Sequence, residues 1–311
     1  MEAMFKELIV TAASESYKSQ LLALIGSLNC NWPDHPAIFV YDIGLEPSTL
    51  DILGAAQIHV EKVPAFCPHW RKHYTWKLWC WNHAPAERVF WLDAGCCVLR
   101  PMPEVFEIID QLGYFAIPNY YLLEREASEE ACEGCRVSAE FRKGKGTVAS
   151  GIFGFRRGTA GERVVQEALQ IGLTEKYIMA YTPSHRWEQA LLSLLLYKQI
   201  NPLILCDGTV YGYGDLRAAF STHAIWAARR SMHPKDRRYF ASSLAGKAQP
   251  HLPRSSHKRA LWYRVAWFFY RCFLILTGHA GKICPSDGVR VGLKPDALLL
   301  QQQREKHAPN R

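Results

Sequence analysis

Between residues 7 and 206 short apolar runs alternate with stretches of helical pattern, and one of the runs, Arg88–Leu92 (RVFWL), stays apolar from its second residue until Asp93 ends it. A strand with one face in water alternates apolar and polar residues, so an unbroken run marks a strand covered on both faces, with helices above and below the sheet as the cover. Neighbouring segments agree. Glu7–Ala13, Ala37–Asp42 and Ile58–Val63 read as strands, with helices between them from an N-cap at Ser14 through Leu28 and from Pro47, at a first turn, to near Gly54. Arg71–His83 suits a helix ahead of the central run. Later come strands at Tyr114–Ile117, Ser150–Phe155 and Pro202–Cys206, and helices at Ala160–Ile171 and His185–Gln199. Asn119–Thr147 is charged, contains glycine and lacks periodicity, the pattern of an insertion or a loop over the site. This rhythm predicts an α/β fold: a Rossmann-like, mostly parallel, doubly wound sheet with right-handed crossovers and flanking helices, which places ligands at the carboxyl ends of its strands. Asp93 stands at such an end.

A chain of 311 residues with 49% hydrophobic residues, 10 Trp, 14 Tyr and 14 Phe can fill one large core, which excludes a disordered, collagen-like or mucin-like protein. Charge divides the chain. Arg217–Lys282 holds thirteen Lys and Arg residues and a single acid, Asp236, a local +12 within a net charge of +8. One end of the molecule is therefore expected to meet an anionic surface. Within it Leu261–Leu276 (LWYRVAWFFYRCFLIL) is apolar and aromatic, but its sixteen residues, broken by Arg264 and Arg271, fall short of the ~20 that a spanning helix needs. The two arginines, seven apart, nearly eclipse each other on a helix, and Arg229, Arg230, Arg237, Arg238, Lys258 and Arg259 precede them. This pattern predicts a helix over 260–277 lying in the headgroup plane of a membrane; the competing reading is a terminal helix docked on the main domain, its arginines reaching water. Nucleic acid is not an expected partner, because the basic run lacks a helix-turn-helix, RRM or zinc-finger context.

Two units follow: a catalytic domain over 1–225, with an insertion at about 119–147, and a basic extension over 226–311. Met1–Val10 carries Glu2 and Glu7 and no long apolar core, so it reads as the entry to the first strand, and a cytoplasmic protein, peripheral on the cytoplasmic face of a membrane, is expected. Its ten cysteines are then expected as thiols; Cys132 and Cys135 form a lone CxxC without a second pair to complete a zinc site.

The chemistry concentrates in Tyr74-Thr75-Trp76-Lys77-Leu78-Trp79-Cys80-Trp81, followed at Val89–Pro101 by VFWLDAGCCVLRP. This pair of segments resembles the nucleotide-sugar site of the GT-A glycosyltransferases, especially the group containing glycogenin and the bacterial galactosyl- and glucosyltransferases of glycan assembly. In that group a Lys on a helix precedes a strand ending in Asp-x-Asp, followed by a hydrophobic residue, a basic or polar residue and often Pro, as Val98, Leu99, Arg100 and Pro101 stand here. Ser150-Gly151-Ile152-Phe153-Gly154-Phe155 is similar to the family's strand beside donor sugar and acceptor. His185-Arg186-Trp187-Glu188-Gln189 is similar to its acid and Gln opening a helix at the reacting centre. Ile9-Val10-Thr11-Ala12-Ala13 fits the first strand, whose end lies near the nucleotide base. The resemblance spans about residues 5 to 205.

What it implies is transfer of a hexose from a nucleotide-diphosphate sugar, UDP-linked in this reading, to a glycan or lipid-linked acceptor at a membrane surface. Thr11, Lys77, Asp93, Ser150 and Gly151 would bind the nucleotide sugar, with Lys77 as a point charge for the phosphates, and Glu188 and Gln189 would act as catalytic residues on the reacting sugar. One departure bears on the cofactor. Gly95 stands where the family has its second acid, so a hard cation loses a carboxylate ligand. Either Mn²⁺ or Mg²⁺ is held by Asp93, the diphosphate, water and a later histidine, His223 with His233 behind it, or the site relies on Lys77 and arginines alone. The residues also have plainer readings: Asp93 as a helix cap or turn former, Lys77 as a solvated helix residue, the tryptophans as core, and Glu188 as a first-turn acid placed for the helix dipole. Gly95 motivates a second functional reading, a non-catalytic nucleotide-sugar-binding or scaffold protein derived from such enzymes.

Overall fold

The apolar runs assemble largely as their pattern predicts. The computed structural model describes residues 5–179, 186–206, 224–227, 241, 244 and 289–291. Its elements are β1 (Phe5–Ala13), α1 (Lys18–Asn31), β2 (Ile38–Asp42), α2 (Pro47–Ala55), β3 (His59–Lys62), α3 (Thr75–His83), β4 (Ala86–Leu92), β5 (Cys97–Val98), α4 (Glu104–Leu112), β6 (Tyr114–Leu122), α5 (Leu123–Glu126), α6 (Glu129–Gly134), β7 (Gly146–Arg156), α7 (Ala160–Gly172), α8 (Glu175–Ile178), α9 (Trp187–Gln199), β8 (Ile204–Cys206), β9 (Ile225–Trp226) and β10 (Val289–Val291).

Six strands form the main sheet in the order β3-β2-β1-β4-β7-β6. β3, β2, β1 and β4 run parallel, while β7 pairs antiparallel with both β4 and β6, so β7 alone is reversed. That reversal positions the site. It brings the early residues of β7 to the carboxyl end of β4, where Leu92 faces Ile152 and the Asp93 amide donates to the Gly151 carbonyl at 2.8 Å.

Alternation along the strands divides the core in two. Leu8, Val10, Tyr41, Val89, Trp91 and Phe153 pack under α3, α7 and α9 through Leu78, Trp81, Val165 and Leu195. Ile9, Val40, Phe90, Leu92 and Ile152 pack on the other face against α1, α2 and α4 through Leu24, Leu53 and Phe106. Val89–Leu92 are fully buried, as the run's continuity required. Each such side chain stabilises the fold by roughly 1.5–3 kcal/mol relative to exposure.

Several boundaries depart from the sequence reading. Ser14 makes no side-chain cap; its hydroxyl lies 3.0 Å from that of Ser16, a 3-10 turn follows at Glu15–Tyr17, and the helix runs over Lys18–Asn31. α3 begins at Thr75 because His73 and Tyr74 adopt left-handed backbone (φ 54° and 55°). The segment expected as an insertion over 119–147 is shorter: β6 continues through Pro118 to Leu122 and β7 starts at Gly146, with α5, α6 and a 3-10 turn between them. Pro118 is tolerated because β6 is the sheet's edge and its register with β7 shifts there. His185, His223, His233 and the helix expected over 260–277 lie outside the described residues.

Candidate active site

The carboxyl ends of β1 and β4, the start of β7 and the first turns of α3 and α9 enclose a cleft of about 460 Å³. Its floor is ionic. Lys77, in the first turns of α3, points its Nζ at Asp93 Oδ1 (2.8 Å) and Glu188 Oε1 (3.1 Å), and approaches the Ser150 carbonyl at 3.4 Å. The Ser150 hydroxyl donates to the same Glu188 oxygen at 2.8 Å, and the Trp91 indole N–H donates to Asp93 Oδ1 at 2.8 Å. Three elements thus deliver a lysine and two carboxylates to one point, while β7 adds the serine.

Packing fixes this arrangement. Lys77 is 1% exposed, and its ammonium lies within 6 Å of the rings of Tyr74, Trp81 and Trp91. Gly151 is required by contact: a Cβ there would come within 2.8 Å of Asp93 Oδ2. Burial works against the Lys77 charge, but the facing Asp93 and Glu188 carboxylates prevail and hold its pKa above the ordinary value. Burial likewise raises the Glu188 carboxyl, against the pull of the Lys77 ammonium and with the Asp93 carboxylate adding to the rise.

The plainer readings of these residues hold in part. Asp93 opens a turn through its carbonyl, which accepts from the Cys96 amide at 2.9 Å. Its side chain caps no helix; the carboxylate receives Lys77 and Trp91. Glu188 lies in the first turn of α9 but bonds Lys77 and Ser150 rather than its own helix. Lys77 is not solvated. Trp79 and Trp81 are core, whereas Trp76 reaches the cleft.

Two expectations need correction. Thr11 does not reach the cleft: it is fully buried within β1, its hydroxyl has no partner among the described residues, and Ala12, Ala13 and Ser14 form the lining there. The threonine side chain points into the sheet's packing, while the chain turns towards the cleft only beyond it. Lys77 is also no free point charge for phosphates, because the Asp93 and Glu188 side chains share its ammonium. Cations nearer solvent are arginines that sequence reasoning missed. Arg71 lines the cleft with its guanidinium 4.6 Å over the Trp70 ring, and Arg186 lines it while pairing with Glu126 at 2.6 Å. Gln189 is in the lining, 7% exposed, and its side-chain N–H₂ has no hydrogen-bond partner among the described residues.

The wall near α3 and α9 is aromatic. Tyr74, Trp76 and Trp187 all line it. Trp187, like Tyr74, has a left-handed backbone (φ 40°), a conformation costing on the order of 1–3 kcal/mol at a non-glycine residue.

Comparison with solved structures agrees with this architecture. The chain is similar to a galactosyltransferase, LgtC, in complex with donor and acceptor sugar analogues, with a TM-score of 0.50 at 15% identity over 79% of this chain and 98% of that one. It is similar also to the bifunctional glycosyltransferase WbbM, with a TM-score of 0.51 at 12% identity over 78% of this chain and 50% of that one. The sequence matches no family model and no curated protein. The fold is that of the GT-A nucleotide-sugar glycosyltransferases, as the motifs implied.

That fold family commonly uses a divalent metal held by Asp-x-Asp. The described residues do not fit one. Gly95 supplies no ligand, Asp93 Oδ1 already receives an ammonium and an indole N–H, and no group of three or more His, Cys, Asp or Glu side chains stands ready to hold a metal among the described residues. An ammonium 2.8 Å from the single Asp of the motif repels a second cation from that oxygen. His223, the other expected ligand, lies outside the described residues.

Proposed function

We propose that this GT-A protein is a glycosyltransferase moving a hexose from a nucleotide-diphosphate sugar, UDP-linked in our reading, to a glycan or lipid-linked acceptor at a membrane surface. The observation that carries the proposal is the meeting of Lys77, Asp93, Glu188 and Ser150 on the floor of the cleft where this fold takes its ligand. The likeness to LgtC, solved with donor and acceptor sugar analogues, supports a cleft for two substrates.

In the reaction the bond between C1 of the sugar and the β-phosphate oxygen breaks, and the nucleoside diphosphate leaves with the electron pair. C1 bonds to the acceptor hydroxyl oxygen, whose proton passes to the departing diphosphate. Stabilising the leaving diphosphate is the main electrostatic task. Arg71, exposed in the lining of the cleft, is the cation placed to meet it, with Lys77 behind it. Asp93, 29% exposed at its side chain, accepts hydroxyls of the donor through the oxygen that Lys77 leaves open. Gln189 donates its unpartnered amide to the reacting sugar. Glu188 acts by holding Lys77 and Ser150 in place rather than on the sugar itself. No step is assigned to a metal.

Release of UDP from a panel of UDP-hexoses, with and without a divalent metal, tests the proposal; release that stops in a folded Asp93→Asn variant supports it, and release unaffected by that change rejects the site. Gly95 favours one other reading, a nucleotide-sugar-binding protein without turnover. Saturable binding with no release across donors and acceptors would establish that alternative.

Residues 261–276 support the membrane-associated part of the proposal, on the cytoplasmic face, through their rings and flanking cations. Co-sedimentation with phosphatidylserine liposomes should weaken when residues 255–277 are deleted. Unchanged sedimentation would remove this part.

A further inference from the structure

Tyr74, Trp76 and Trp187 form a continuous aromatic wall. The Tyr74 and Trp187 centroids are 5.4 Å apart with planes at 45°, those of Tyr74 and Trp76 are 5.9 Å apart at 55°, and Trp76 continues to Trp91 at 6.3 Å. Trp91 in turn donates to Asp93. The wall therefore runs from the ionic floor to solvent, where Tyr74 is 43% exposed. Core packing does not explain a ring left in water, and backbone geometry argues against accident. His73, Tyr74 and Trp187 are three of the five non-glycine residues with positive φ among the described residues. Such conformations persist only where their surroundings hold them, and here they turn rings from the starts of two helices towards each other at a cleft.

Resting on the transferase reading above, we infer that this wall is the acceptor subsite and that its ligand is a neutral saccharide stacking the C–H face of a pyranose on Tyr74 and Trp187. The negative face of an aromatic ring attracts the polarised C–H bonds that line one side of such a sugar, while its hydroxyls point sideways. Arg186, in the same cleft, supplies N–H groups for those hydroxyls. Lys77 Nζ is 5.8 Å from the Tyr74 centroid, so a saccharide held on the wall lies beside the ionic cluster. The nucleobase belongs on the other side, where Ala12, Ala13, Ser14 and Tyr17 close the end of β1, because its edge needs in-plane backbone partners that a wall of rings lacks.

Saturation-transfer NMR on the full chain with UDP, using methyl β-D-galactopyranoside and methyl β-D-glucopyranoside as probes, tests this. Transfer should concentrate on the protons of one pyranose face, fall by about fivefold in Tyr74→Ala and Trp187→Ala, and survive in Tyr74→Phe and Trp187→Phe, which keep a ring. Circular dichroism checks that each variant is folded, and calorimetry measures its UDP binding separately. Transfer unchanged by either alanine overturns the inference. So does a wild-type protein that binds UDP but neither glycoside, which leaves the donor reading standing. Loss of UDP binding with retained glycoside transfer in folded alanine variants overturns it by making the wall a nucleobase platform. Failure of wild type to bind either UDP or UDP-hexoses is instead the failure of the transferase reading, and the acceptor assignment falls with it.

Discussion

Lys77 and Asp93 stand sixteen positions apart, one at the start of α3 and the other just beyond β4, and their Nζ and Oδ1 atoms meet at 2.8 Å, with Glu188 3.1 Å from the same ammonium. An ammonium so thoroughly buried cannot be provided by a surface that merely happens to be charged. Packing of α3 against the sheet places it, and the two carboxylates keep it ionised. The consequence is a site whose fixed charges are mutually held, which lets Asp93 keep one orientation as substrate arrives.

Removing the cation should therefore cost the fold itself. Lys77→Met leaves the Asp93 and Glu188 carboxylates facing each other without compensation, and the loss in unfolding free energy should be about 3–5 kcal/mol. Urea denaturation measures it. A change within 1 kcal/mol, on the order of a surface pair, would show that the trio is not the buried ion cluster described here.

Gly151→Ala probes the placement of Asp93 without touching a charge. The added methyl would come within 2.8 Å of Oδ2, so the carboxylate has to move. Destabilisation of about 1–3 kcal/mol is expected, with a fall in UDP release approaching ~100-fold because a small misplacement at a reacting centre is costly. Wild-type turnover in this variant would mean that the position of Asp93 is not critical.

The raised carboxyl of Glu188 has a signature in pH. A carboxyl whose pKa is higher in the fold binds its proton more tightly there than in the unfolded chain, so its contribution to stability is greatest below the unfolded value and declines as pH rises through the folded one. The decline begins near the ordinary value of 4.5 and extends upward. Melting temperatures from about pH 4 to about pH 7 should thus show wild type losing stability relative to the permanently neutral Glu188→Gln over that window. Parallel curves would contradict the burial of this group.

Metal binding separates the two cofactor readings left open by the sequence. Without nucleotide, titration of the protein with Mn²⁺ should give no saturable heat, and EDTA should leave its melting temperature unchanged, since the one carboxylate of the motif already holds the Lys77 ammonium and the Trp91 indole N–H. Saturable binding would require ligands beyond those described, with His223 the first to replace.

How far the site could be read from sequence depends on what each residue does locally. The unbroken apolar run before Asp93 announced a strand buried on both faces, so the place of Asp93 at a strand's carboxyl end was legible. Its role rested on the family resemblance, because a turn former fits that place as well. Lys77 and Glu188 were legible as candidates through family resemblance, but their contact with each other depends on α3 and α9 docking on one face of the sheet, which no local pattern encodes. Thr11 was misplaced because the cleft opens only past the carboxyl end of β1, where Ala12, Ala13 and Ser14 line it, and no local pattern marks where the buried stretch of a strand ends. The length of β6 was hidden by Pro118, which ordinarily ends a strand and is accommodated here only at the sheet's edge. Arg71 and the rings of Tyr74 and Trp187 carried no signal beyond their chemistry; the left-handed turns that aim two of them are visible only in three dimensions.

The most direct test is calorimetric titration of UDP and UDP-hexoses into wild-type protein and into Asp93→Asn, with circular dichroism confirming that both are folded. Saturable binding by wild type, weakened at least ~100-fold in the variant, is the expected result. Equal affinity in the two proteins, or no nucleotide sugar bound by wild type at all, would contradict the assignment of the Lys77–Asp93 cleft as a donor site.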